Sequence, residues 1–167
     1  MAENEVRYDL DSYDIITQAL MELINQYPAL DDDDEITFAV LEDTTGKAMV
    51  PVSGGIILKE TEDVTSHIYQ ECLYPFNVYY RASGLSEKKK MIAKEWLDNL
   101  GRWLERQVTV INGNEYQLTE YPTLNGDREF LNIYRSTPSF PNDTNEDKVE
   151  DRCISISALY RNEYDRF

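Results

Sequence analysis

Apolar residues recur along this chain with two clear periods. From Asp11 to Tyr27, Ile16, Leu20, Leu23, Ile24 and Tyr27 fall three or four apart and share one side of a helix. Asp11 or Ser12 is placed to cap its first turn, Asp14 suits the positive end of its dipole, and Pro28 is expected to stop it. Residues Glu35 to Glu42 alternate as a strand with both faces apolar, Asp43 to Gly46 reads as a turn, and Lys47 to Val52 as a second strand. Ser53-Gly54-Gly55 breaks that strand, leaving Ile56 to Lys59 as a continuation or a third strand before a polar stretch, Glu60 to Thr65. The longest strand signal runs from Ile68 to Ala82, where Pro75 predicts an edge position or a bend.

Ser86 then reads as the N-cap of a second helix, Glu87 to about Arg106, with Ile92, Trp96, Leu100, Trp103 and Leu104 on its buried side. Three lysines in its first turns oppose the macrodipole, which is easier to understand if they meet carboxylates elsewhere. Val108–Ile111, Asn112-Gly113 and Tyr116–Leu118 predict a short hairpin with a type I′ turn. Glu129 to Arg135 alternates as a strand, Pro138 to Asp147 reads as a polar loop, and Arg152 to Tyr160 as a long final strand. The order helix, strands, helix, strands predicts an α+β fold, with two amphipathic helices packed on one face of a mostly antiparallel, curved sheet. The length, 167 residues, fits one domain spanning 1–167.

Charge alters this picture more than composition does. Thirty-two acidic side chains against sixteen basic ones leave a net charge of −16. The 41% hydrophobic share, with twelve tyrosines and two tryptophans, is too apolar and aromatic for a disordered acidic tail. Attraction to DNA or to an anionic membrane is disfavoured, because both are polyanions. The charge is also uneven, with a net of −13 over residues 1–63, +2 over 64–106 and −5 over 107–167. The extremes are Asp31-Asp32-Asp33-Asp34-Glu35, expected in a loop, and Lys88-Lys89-Lys90. Such segregation suits head-to-tail contact between copies, and these two runs, with the turn Thr44, Thr45, Gly46 and Lys47, are the candidate partner-binding residues.

Candidate chemistry is sparse. His67 is the only imidazole and no nucleophile motif frames it, so a surface role is expected of it. The acid run lacks the alternate spacing of a calcium loop, and consecutive side chains point apart, so no metal is expected there. Ser53-Gly54-Gly55 leads into a strand, not a helix, and is no phosphate cradle. Cys72 and Cys153 stand 81 positions apart, without a CxxC or a Cys/His cluster, and read as reduced, half-buried thiols. The first residues carry no basic and apolar leader pattern, and no apolar run approaches the ~20 residues of a membrane span, so a soluble cytoplasmic protein is expected. The expectation is therefore of no catalytic residues, no cofactor and no enzyme.

Three segments carry a resemblance. Lys90-Met-Ile-Ala-Lys-Glu-Trp-Leu-Asp-Asn-Leu, the stretch from Tyr121 to Pro138 (YPTLNGDREFLNIYRSTP) and the closing Arg152-Cys-Ile-Ser-Ile-Ser-Ala-Leu-Tyr, in this element order, resemble the tail-terminator or minor capsid (head-tail joining) proteins of long-tailed phages. That resemblance implies two helices against a curved sheet. It also implies a ring, typically a homo-hexamer, that caps the head-proximal end of a tail tube and ends tube growth. The partners it implies are the chain itself, the tail-tube protein and a head-completion or neck protein, with DNA as a passenger through the lumen. The place implied is the host cytoplasm during assembly and the neck of the mature virion. A negative lumen fits such a role, since it keeps the duplex centred without gripping it. The competing expectation, from the same charge, is an acidic inhibitor that mimics DNA in the cleft of a basic enzyme.

Overall fold

The computed structural model describes residues 5–39, 41, 46–83, 86–144 and 149–167. Its elements in order are β1 (Tyr8–Asp9), α1 (Ser12–Ile24), β2 (Ile36–Phe38), β3 (Gly46–Pro51), β4 (Gly55–Glu62) and β5 (His67–Ser83). There follow α2 (Glu87–Leu104), β6 (Thr109–Ile111), β7 (Asn114–Tyr116), β8 (Arg128–Arg135), β9 (Phe140–Thr144) and β10 (Val149–Asp165). The fold is α+β, with two helices among the described residues and a mostly antiparallel sheet. Its spine is the antiparallel pair β5 and β10, two strands of 17 residues registered from Val149 opposite Ser83 to Asp165 opposite His67. Around it the strands run β1-β4-β5-β10-β8, with β3 on β5, β2 on β3 and β9 on β10.

Alternation along the spine decides where the core lies. Cys72, Tyr74, Phe76 and Val78 of β5 face the same side as Ile154, Ile156, Ala158 and Tyr160 of β10, and all are buried. Against them pack Ile16, Leu20, Leu23 and Ile24 of α1 and Leu97, Leu100, Trp103 and Leu104 of α2. Each such aliphatic side chain contributes about 1.5–3 kcal/mol by leaving water. The helices are joined through Tyr27, whose hydroxyl donates to the Trp96 carbonyl at 2.9 Å and whose ring centroid lies 5.1 Å from that of Trp96. Thr17 and Tyr74 share a hydroxyl hydrogen bond that ties α1 to β5.

Several expectations are corrected. Pro75 is not on an edge strand, because it sits mid-way along the central strand β5. It stands where the neighbour changes, since β4 pairs residues 68–73 and β3 pairs 76–81. The chain bends between those two strands at Val52–Gly54, so the missing N–H meets no ladder acceptor, while the Pro75 carbonyl accepts from the Val52 N–H at 3.0 Å. The predicted loop from Pro138 contains strand β9, which pairs with β10. Of the strand expected over 35–42 the described residues show Ile36–Phe38, which runs parallel to β3 and is followed by Ala39 at a left-handed φ of 55°, while residues 40 and 42 lie outside the described residues. Helix α1 ends at Ile24, ahead of Pro28, and its Asp11 cap makes no side-chain hydrogen bond.

The buried side of α2 is also rotated from expectation. Ile92 is 52% exposed, while Ala93, Leu97 and Gly101 face the sheet. Gly101 decides this, since a Cβ there would stand 2.3 Å from Arg135 Cδ and 2.5 Å from Arg135 Cγ, so only glycine lets α2 approach β8 so closely. Other expectations hold in the structure. Ser86 caps α2 by accepting from the Lys89 N–H, and Asn112 and Gly113 both have positive φ, as a type I′ turn requires.

Candidate functional site

The twelve residues singled out for partner contact do not form one site. Asp31 to Asp33 are exposed in a turn after α1, Glu35 is exposed, and Thr44 and Thr45 lie outside the described residues. Asp34 is half-buried and paired with Lys47, whose ammonium sits 4.7 Å from the Tyr80 ring centroid and 5.3 Å from that of Trp96. Gly46 stands opposite Arg81 at the start of β3. Lys90 lies 3.8 Å from both Glu87 and Glu150, so one lysine of the triplet does meet a carboxylate of another element. Lys88 and Lys89 are exposed, with no ion-pair partner among the described residues.

The acid turn and the lysines are not on opposed ends. The Ala29 carbonyl, just before the turn, accepts from Trp96 Nε1 at 3.3 Å, which seats the turn over the middle of α2. Lys88 lies about two helical turns, ~12 Å, before Trp96 along the same helix. Instead the acid spreads the other way, because Glu22 of α1 lines one depression with Asp32, Asp33, Asp34 and Glu35. Glu22 lines a second depression with Asp14. The outer side of α1 and the acid turn therefore form one continuous acidic surface.

The most elaborate polar site was invisible to spacing. Asp9 of β1 is buried, and its carboxylate accepts from Arg128 Nε at 2.9 Å and Nη2 at 2.7 Å, and from the Tyr160 hydroxyl at 2.8 Å. Ser12 donates to the Asp9 carbonyl and accepts from the Gly55 N–H at 2.7 Å. A Cβ on Gly55 would stand 2.0 Å from the Tyr160 hydroxyl, so glycine is required at this approach. Burial alone would push the Asp9 carboxyl up, but the Arg128 fork and the Tyr160 hydroxyl outweigh it and hold the group below its usual value. Burial also raises the Tyr160 phenol strongly and pushes the adjoining Cys72 thiol up to about 11.

Beside this cluster opens a cleft of about 440 Å³, lined among others by Arg7, Tyr8, Gln70, Arg128 and Asn162. Several of its polar groups are engaged with each other or with neighbouring carboxylates. Arg7 and Gln70 both donate to Glu60, at 3.1 and 2.7 Å, and Asn162 donates to Gln70 at 3.1 Å. Bonds from Gln70 and Arg7 hold the Glu60 carboxyl below its usual value. Chemically the arrangement is a lock that fastens residues 7–12 to strands β4, β8 and β10.

No protein-family model matches the chain, and no curated protein sequence is similar to it. The geometry therefore stands by itself. His67 opens β5 with its Nδ1 2.7 Å from Asp165 and its Nε2 3.4 Å from Glu163. The Asp165 contact, ahead of the opposing cost of desolvation, raises its pKa. Both thiols are free and buried, deeper than the half-burial expected of them. Among the described residues, no group of three or more His, Cys, Asp or Glu side chains could hold a metal ion, and no helix is long and apolar enough to cross a membrane.

Proposed function

We propose that this chain is a tail-terminator-like structural protein, which caps the head-proximal end of a phage tail tube as a ring of copies. The observation that carries the reading is architectural. Both helices pack on one side of a mostly antiparallel sheet, which is the arrangement the resemblance implies. The continuous acidic surface of α1 and the following turn adds to it, because a surface of that sign turned toward passing DNA repels phosphate and does not hold it. In this role the function lies in surfaces and the protein performs no chemistry. The working partners are further copies, the tube protein and a neck or head-completion protein.

The test is a mixing experiment with purified tail-tube protein, followed by electron microscopy and mass measurement. Tubes whose growth stops, each bearing a ring at one end, are the expected result. A chain that leaves tube polymerisation unchanged and adds no density to tube ends overturns the reading. The same acidic surface also favours a second reading, an inhibitor that occupies a basic nucleic-acid-binding cleft. A tight, salt-sensitive one-to-one complex with a basic nuclease, without rings, would select it.

A further inference from the structure

The face of the sheet turned away from the helices carries an order that the core face does not. Leu73 of β5 and Leu159 of β10 are cross-strand partners on this side, and the row continues to Ile56 and Tyr8 on one flank and Asn132 on the other. Five strands thus present a mostly apolar row about 19 Å wide, at ~4.8 Å per strand. The next row on the same face reads Lys59, Glu71, Arg161, Glu129, with signs that alternate across four strands. Arg161 bonds Glu129 and also lies 2.9 Å from Glu163. Toward the far end of the face the surface closes, because Ala48 and Cys153 are already buried there.

We infer that this face pairs two copies of the chain about a two-fold axis that runs between β5 and β10, parallel to them. Symmetry supplies the reason. An axis midway between two antiparallel strands sets each residue opposite its own cross-strand partner from the other copy. Leu73 then meets Leu159 of the second copy, Glu71 meets its Arg161, and Lys59 meets its Glu129. The alternating row is therefore complementary to itself in this orientation, every charge facing one of opposite sign. Two sheets packed face to face with aligned strands, ~10 Å apart, hold one layer of side chains from each.

Net charge sharpens the choice of surface. Two molecules of charge −16 repel, and the acidic side of α1 cannot face its own copy. The row Lys59, Glu71, Arg161, Glu129 holds two cations and two anions, so it can. The two rows, across five and four strands, cover roughly 300 Å² of sheet per copy, well under the ~800 Å² per partner of a standard interface, and the pairing is accordingly a weak, reversible one. It does not depend on the tail-terminator reading.

The test is sedimentation equilibrium of the full chain across about 5–200 μM, with a charge exchange read alongside. Wild type is expected to approach the mass of two copies. Glu71→Arg and Arg161→Glu each place like charges opposite one another twice in a self-pair, and each is expected to weaken association at least tenfold. An equimolar mixture of the two variants restores opposite charges at both places and is expected to recover the paired mass. Circular dichroism and urea unfolding of each variant confirm that it is folded. Leu73→Asp, checked the same way, sets a carboxylate against Leu159 of the second copy and is expected to give single copies. A wild type that stays at one copy throughout overturns the inference. So does a pair or larger ring whose mass is unchanged in the variants, an outcome that leaves the tail-terminator reading intact.

Discussion

Replacing Arg128 with Met should reverse the sign of Asp9's contribution to the stability response to acid. In the native chain the Asp9 carboxylate, 8% exposed, receives two bonds from the Arg128 fork and one from Tyr160. Its folded pKa is below the ordinary value, so its contribution is complete above about pH 4 and fades as pH falls through the lower folded value. Arg128→Met removes the cation bonded to it and leaves a buried charge with the Tyr160 hydroxyl and a backbone bond from Asp11. Breaking a buried pair from one side costs about 3–5 kcal/mol at neutral pH. Burial, now uncompensated, raises the Asp9 pKa. The folded state then binds the Asp9 proton more tightly than the unfolded one, and the contribution of Asp9 to stability rises as pH falls from neutrality toward about 4.

Urea unfolding followed by tryptophan fluorescence reads this directly, since Trp96 and Trp103 both pack on Tyr27 in the core. The expected curve for wild type minus Arg128→Met starts at about 3–5 kcal/mol at pH 7 and narrows steadily on acidification. Asp9→Asn with Arg128→Met removes both charges and should recover part of the loss, with a coupling of more than about 1 kcal/mol. A pH-independent difference below about 1 kcal/mol, the range of an exposed pair, would refute the reasoning and make this contact a surface one.

Three further outcomes are expected. Gly101→Ala should destabilise by about 1–3 kcal/mol in the same urea assay, although helix propensity alone favours alanine by about 1 kcal/mol, because the new Cβ enters the space of Arg135. In an NMR titration His67 should show a pKa above 6.5, brought down by Asp165→Asn; any stabilisation from the pair is present below 6.5 and lost as pH rises through the raised value. Cys72 and Cys153, buried and both pushed up to about 11, should resist a thiol-specific disulfide reagent in the folded protein and react fully in denaturant, whereas fast labelling of either native thiol would contradict the packing.

Local periodicity determined much of this molecule. The two helices, the hairpin at Asn112-Gly113, the Ser86 cap and the long strands that became β5 and β10 follow from spacing, because side-chain alternation and backbone capping are set within a few residues. The acid run also reads correctly as a loop, since adjacent like charges repel wherever the rest of the chain goes. What lies beyond a few residues did not follow. Which stripe of α2 is buried depended on Gly101 meeting Arg135, so Ile92 and Ala93 exchanged places. Pro75 is tolerated in a central strand only because two other strands leave a gap beside it.

The polar lock shows the same boundary most clearly. Asp9 lies 119 positions from Arg128 and 151 from Tyr160, and none of the three has a neighbour in sequence that marks it. One-dimensional charge also misled, for the acid turn and the lysines, far apart along the chain, share the neighbourhood of one helix. Sequence alone settled the α+β class and the net charge, quantities summed over local choices. Tertiary structure decided which charges are buried in pairs and which surface stays open, because those depend on strands that meet only when the whole sheet has formed.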